Sequence, residues 1–60
     1  GTPMFQKVRA ANPDLGDALG PERDYGEVRC QFYAGGIIYA KVGDWQNTAI
    51  AKAKEDFPIA

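Results

Sequence analysis

Apolar and polar positions alternate most regularly in two β-rich runs, Val28–Tyr33 and Ile37–Val42, separated by Ala34-Gly35-Gly36. A short Gly-bearing gap between two such runs predicts a β-hairpin. With a three-residue loop, Tyr33 faces Ile37, Phe32 faces Ile38, Gln31 faces Tyr39, Cys30 faces Ala40, Arg29 faces Lys41 and Val28 faces Val42. Strand side chains alternate, so one face then carries Val28, Cys30, Phe32, Ile38, Ala40 and Val42. The other carries Arg29, Gln31, Tyr33, Ile37, Tyr39 and Lys41. A two-residue turn would place Lys41 among the apolar set or split that set. The pattern therefore selects the longer loop, with Gly36 supplying a positive φ in its last position.

Upstream, Met4, Phe5, Val8 and Ala11 recur at helical spacing behind Thr2-Pro3, a cap followed by proline at the first helical position. This predicts a helix over 3–11, stopped at Asn12, which Pro13 pushes out of the helical region. Asn12-Pro13-Asp14-Leu15 repeats the cap-then-proline pattern and can start one short helical turn. Leu15 and Leu19 read as core anchors in an otherwise polar connection. Downstream of Gly43-Asp44, the segment 48–57 is rich in helix formers, with Ile50, Ala53 and Phe57 on one stripe and Pro58 as its stop. The order helix, loop, β-hairpin, helix predicts a single α+β domain over 1–60. Phe5, Val8, Leu15, Leu19, Ile50 and Phe57 are expected to cover the apolar hairpin face, because an isolated hairpin is marginal in water.

Composition narrows the chemistry. With 60 residues, the core is small, and no disulfide within the chain can reinforce it, since Cys30 is the one cysteine. Cys30 falls on the apolar face and reads as a buried hydrophobe. There is no histidine and no serine, so no Ser-His or Cys-His pair forms, and no phosphate-cradling glycine motif is present. The acids Asp14, Asp17, Glu22, Asp24 and Glu27 cluster in the connection, but their spacing does not fit a calcium loop. No enzyme activity, cofactor or metal is expected. A net charge of −1, from 7 basic and 8 acidic residues, gives no electrostatic reason to bind nucleic acid, and no apolar run suits membrane insertion.

What remains is a surface. On the wetter hairpin face Tyr33 and Tyr39 stand beside Arg29 and Gln31, with Trp45 just beyond the strand. Aromatic rings next to planar polar groups suit sugar rings, and they equally suit a protein partner. The bland alternative is a cross-strand pair of Tyr33 and Ile37 that merely stabilises the sheet. The candidate ligand-binding residues are therefore Arg29, Gln31, Tyr33, Tyr39 and Trp45.

Leu19-Gly20-Pro21, a spacer and then Gln31-Phe32-Tyr33-Ala34-Gly35-Gly36-Ile37-Ile38-Tyr39 together resemble the LGFP repeat. That repeat is named for a Leu-Gly-Phe-Pro run and continues into a hairpin of the form F-x-x-G-x-I-Y-W. Phe32, Gly35 and Ile37 fall in register, Tyr39 stands at the last aromatic position, and Gly43 matches the glycine after the second strand. The phenylalanine of the run is missing, and Ile38 stands where an aromatic is usual. The helix expected over 49–57 looks like the opening of a following repeat. The resemblance implies a cell-wall-associated, polysaccharide-binding module of a larger secreted protein. The alternative is a protein-interaction or self-assembly module that uses the same face for a partner or a second copy.

Overall fold

A computed structural model describes residues 2–58, apart from the side chains of Thr2 and Lys54, so the expected Thr2 cap lies outside it. The chain is an α+β domain: helix α1 (Thr2–Ala11) precedes a four-stranded antiparallel sheet of order β1-β2-β3-β4. The strands are β1 (Arg23–Tyr25), β2 (Val28–Tyr33), β3 (Gly36–Lys41) and β4 (Ala49–Ala51). Single 3-10 turns occupy Pro13–Leu15, Trp45–Asn47 and Lys54–Asp56.

The helix stops where Asn12-Pro13 requires. The Asn12 side-chain amide donates to the Val8 carbonyl at 2.8 Å, satisfying one of the last turn's orphan oxygens. The 3-10 turn that follows drives Leu15 into the core, where it is fully buried with Phe5 and Ile38. Each such side chain contributes about 1.5–3 kcal/mol, against about 0–1 kcal/mol for a surface ion pair. The core therefore outweighs the exposed pairs Arg29–Asp24 and Lys52–Asp14.

The hairpin is present, but its loop has two residues and its register differs by one. Tyr33 pairs with Gly36, Phe32 with Ile37, Gln31 with Ile38, Cys30 with Tyr39, Arg29 with Ala40 and Val28 with Lys41. Alternation favours the longer loop only if a single face is apolar, and here each face carries a buried core. Phe5, Leu15, Tyr33, Ile38 and Ala40 form a core beneath α1, with Val8, Trp45 and Ile50 against it. Cys30, Ile37, Ala51 and Phe57 form a second core on the opposite face, flanked by Val28, Phe32 and Tyr39. Ile37 and Ile38 are thus both buried, back to back. Lys41 does join the apolar side, at the end of β3, where it stays exposed.

The tip is fixed from outside. Gly35 N–H donates to the Leu15 carbonyl at 2.8 Å and Ala34 N–H to the Asp17 carbonyl at 3.0 Å. Neither Gly35 nor Gly36 has a left-handed φ. Glycine is required for proximity instead: a Cβ on Gly35 would lie 2.6 Å from the Asp14 carbonyl oxygen.

Three further expectations are corrected. The segment 48–57 is not a helix: β4 pairs with β3 through Ile37–Ala51, Ile38–Ile50 and Tyr39–Ala49, and a 3-10 turn follows. A helix of that length is marginal in water, and its propensity advantage is only a few tenths of a kcal/mol per residue. Strand pairing satisfies the edge of β3 and sends Ile50 to one core, Ala51 and Phe57 to the other, which one helical stripe cannot do. Leu19 is not a core anchor but 70% exposed. Its backbone does the packing, since Leu19 N–H donates to the Phe32 carbonyl at 2.8 Å beside the Ala18–Tyr33 bridge. Val42, expected on the apolar face, lies beyond the end of β3 and is exposed.

Candidate functional site

The strand register distributes the expected binding residues over both sides of the sheet. Arg29, Gln31 and Tyr33 share the face beneath α1, whereas Tyr39 lies on the opposite one. The single aromatic–polar face expected from the three-residue loop is therefore not formed. Tyr33 is 4% exposed, its hydroxyl donating to Gln31 Oε1 at 2.8 Å and its ring lying 5.6 Å beneath the Arg9 guanidinium. The Gln31 amide in turn donates to the Gly20 carbonyl at 3.1 Å, tying the connection to β2. Burial pushes the Tyr33 phenol up; the Arg9 charge opposes this and Glu22 adds to it. Gln31 and Tyr33 are thus occupied within the fold.

Arg29 is similarly engaged. It forms a two-pronged pair with Asp24, at 2.7 and 3.1 Å, and its guanidinium lies 5.5 Å over the Trp45 ring. The hydrogen bond from Arg29 holds the Asp24 carboxyl below its usual range. Trp45 is half-buried, edge-on to Phe5 at 6.3 Å between centroids. Its remaining free side borders a shallow cleft of about 260 Å³ lined by Pro3, Met4 and Lys7.

The side of the sheet without a helix is different. Alternation and register place Arg23 and Tyr25 of β1, Val28, Cys30 and Phe32 of β2, and Ile37, Tyr39 and Lys41 of β3 on it. Among the described residues, Phe57 reaches over from the C-terminal segment, meeting Phe32 at 6.0 Å and Tyr39 at 5.6 Å, both edge-on. It leaves the β1 end of the face uncapped, with Tyr25 40% exposed, Val28 half-buried, and Arg23 and Lys41 exposed. Cys30 forms the floor and is fully buried; burial pushes its thiol up, while the Arg23 charge acts in the opposite direction.

Of the expected residues, this open face keeps Tyr39 and gains Arg23, Tyr25, Val28 and Lys41. The signal that adds β1 is Tyr25-Gly26-Glu27-Val28, a Gly-X pair between strand residues. Gly26 has φ 60° at the first turn position, as a tight hairpin turn of that type needs. Among the described residues no group of three or more His, Cys, Asp or Glu is arranged to hold a metal ion. No described helix is long and apolar enough to cross a membrane. No family model, no curated protein and no solved structure matches the chain.

Proposed function

We propose that this domain is a non-catalytic binding module, that its ligand lies across the helix-free face of the sheet, and that the ligand is cell-envelope polysaccharide. The observation that carries this reading is the uncapped patch of Tyr25 and Val28 between Arg23 and Lys41, bordered by Tyr39, which is half-buried against Phe57. Aromatic rings offer flat apolar surface to the C–H faces of sugars, while neighbouring polar groups bond their hydroxyls. The resemblance of Phe32–Tyr39 to the LGFP hairpin supports the same ligand class and the reading of the domain as part of a larger secreted, wall-associated protein. The binding residues of this reading are Tyr25, Tyr39, Arg23 and Lys41. Arg29, Gln31, Tyr33 and Trp45 hold the sheet in shape.

Co-sedimentation with purified bacterial cell walls tests it, with circular dichroism as the folding control. Wild type should pellet with walls, folded Tyr25→Ala should remain largely soluble, and Tyr33→Phe, altered on the other face, should pellet like wild type. Equal pelleting of all three proteins would remove the face from the reading, and no pelleting at all would remove the polysaccharide. The rival, a self-associating or partner-binding module, is favoured by the exposed apolar side chains of Leu19, Tyr25 and Val42. It requires an unfolding temperature that rises with protein concentration, which a glycan-binding monomer does not show.

A further inference from the structure

The charges of the sheet are sorted between its two sides. Asp24 and Arg29 neutralise each other beneath α1, and Glu22 acts on both Arg29 and Tyr33 there. On the open side the strand residues contribute Arg23 and Lys41, and among the described residues neither forms a salt bridge. Glu27 in the adjoining turn lines a hollow together with Asp24, Lys41 and Val42, and Glu55 and Asp56 precede Phe57, so acids border the patch although none occupies its strand positions.

The register gives the patch a regular layout. Tyr25 and Lys41 flank Val28 in one row across the strands, and Arg23 and Tyr39 flank Cys30 in the next. Each of the two strands flanking β2 therefore offers one aromatic and one basic residue, two positions apart, in opposite order: Arg23-x-Tyr25 against Tyr39-x-Lys41. Residues two apart on a strand are about 7 Å apart, and the two cations on the diagonal are about 12 Å apart at ordinary strand spacing. A ring stacked on either tyrosine thus has a cation within reach of its own substituents. Guanidinium and ammonium groups bind carboxylates through charge-assisted hydrogen bonds.

We infer that the polysaccharide is acidic, a chain whose sugar rings carry their own carboxylates, as uronic acids do. One ring rests on Tyr25, a ring further along the chain meets the part of Tyr39 that Phe57 leaves exposed, and Arg23 and Lys41 take their acid groups. This rests on the reading that the open face binds sugar. A carboxylate fixed directly on the ring suits the close tyrosine–cation spacing better than a phosphodiester between units. A neutral glycan would leave both cations without a partner.

Titrating the isotope-labelled domain with polygalacturonate oligomers, and following amide shifts at low and high salt, tests the inference. The same titration is run with the fully methyl-esterified oligomers and with a glycerol phosphate polymer. Polygalacturonate should shift residues of β1, β2 and β3 on the open face, weakening steeply with salt. Its methyl ester should bind at least roughly tenfold more weakly, as should the R23Q/K41Q double variant, whose spectrum must remain that of a folded domain. Lys7→Gln, on the exposed side of α1, should bind like wild type. Equal binding of the acid and its ester at Tyr25 and Tyr39 would overturn the acidic ligand but keep sugar binding on this face. Preference for the phosphate polymer would overturn the uronic acid. No shift with any of the three would overturn the inference together with the sugar-binding reading beneath it.

Discussion

Substituting Gly35 by alanine tests how the hairpin is anchored. The added methyl would lie 2.6 Å from the Asp14 carbonyl oxygen and 3.2 Å from both the Cα and the carbonyl oxygen of Leu15. These are backbone atoms of a short 3-10 turn, so no side chain can swing away to make room. The tip must lift, weakening the 2.8 Å hydrogen bond from Gly35 N–H to Leu15. Overpacking costs roughly 1–3 kcal/mol and the hydrogen bond about 0.5–1.5 kcal/mol. Against this, alanine restricts the unfolded chain and returns about 0.4–1 kcal/mol. The net loss centres on about 2 kcal/mol, near half of the roughly 3–5 kcal/mol that a core of this size supplies. For a domain this small it lowers the unfolding temperature by about 8–16 °C. The assay is urea unfolding at fixed protein concentration, read by the fluorescence of Trp45, which packs against Phe5. Gly20→Ala is the control, because nothing lies within 4 Å of its Cβ position and its φ is not left-handed. If Gly35→Ala proves as stable as Gly20→Ala, the tip does not sit on residues 13–17 and the two-residue turn is wrong.

Other outcomes follow from the two cores and the exposed ion pairs. Phe57→Ala removes the ring that covers Phe32 and Tyr39; at a cost of about 3–5 kcal/mol it should leave the domain largely unfolded at 25 °C. Phe57→Leu should keep dispersed amide resonances, and an equally folded alanine variant would show that the second core is dispensable. Cys30 should resist a thiol-reactive dye in the native state and react promptly in urea; fast native labelling would contradict its burial. Burial raises its folded pKa, so above about pH 9 the unfolded chain releases the thiol proton before the native one does. Stability should therefore fall as pH rises through that range, and Cys30→Ala should flatten the fall. Asp24 and Asp14 have the opposite sign: their folded pKa values are depressed by Arg29 and Lys52. The stability they add is present above about pH 4 and lost as pH falls through the folded values; Asp24→Asn should make the acid limb shallower, and an unchanged limb would refute the pairing.

Much of the architecture is local and legible in the residues themselves. The spacing of Met4, Phe5 and Val8 marks the helix, Asn12-Pro13 stops it, and the β-rich runs about Ala34-Gly35 make a hairpin. These features act through neighbouring backbone and side chains, and they suffice for the α+β class and for Phe5, Leu15 and Phe57 as buried residues. Alternation identifies register only when a single face is buried. Here segments distant in the chain, Pro13–Leu15 beneath one face and Phe57 over the other, bury both Ile37 and Ile38. The same distant contacts turn 49–51 from helix formers into a strand and set Gly35 against the Leu15 carbonyl. The candidate site inherits this dependence: the sequence supplies the aromatic and basic residues, but a one-residue change of register decides which of them meet. Tyr33 and Tyr39 are parted, and Tyr39 joins Tyr25, because tertiary packing fixes the pairing that local pattern leaves open.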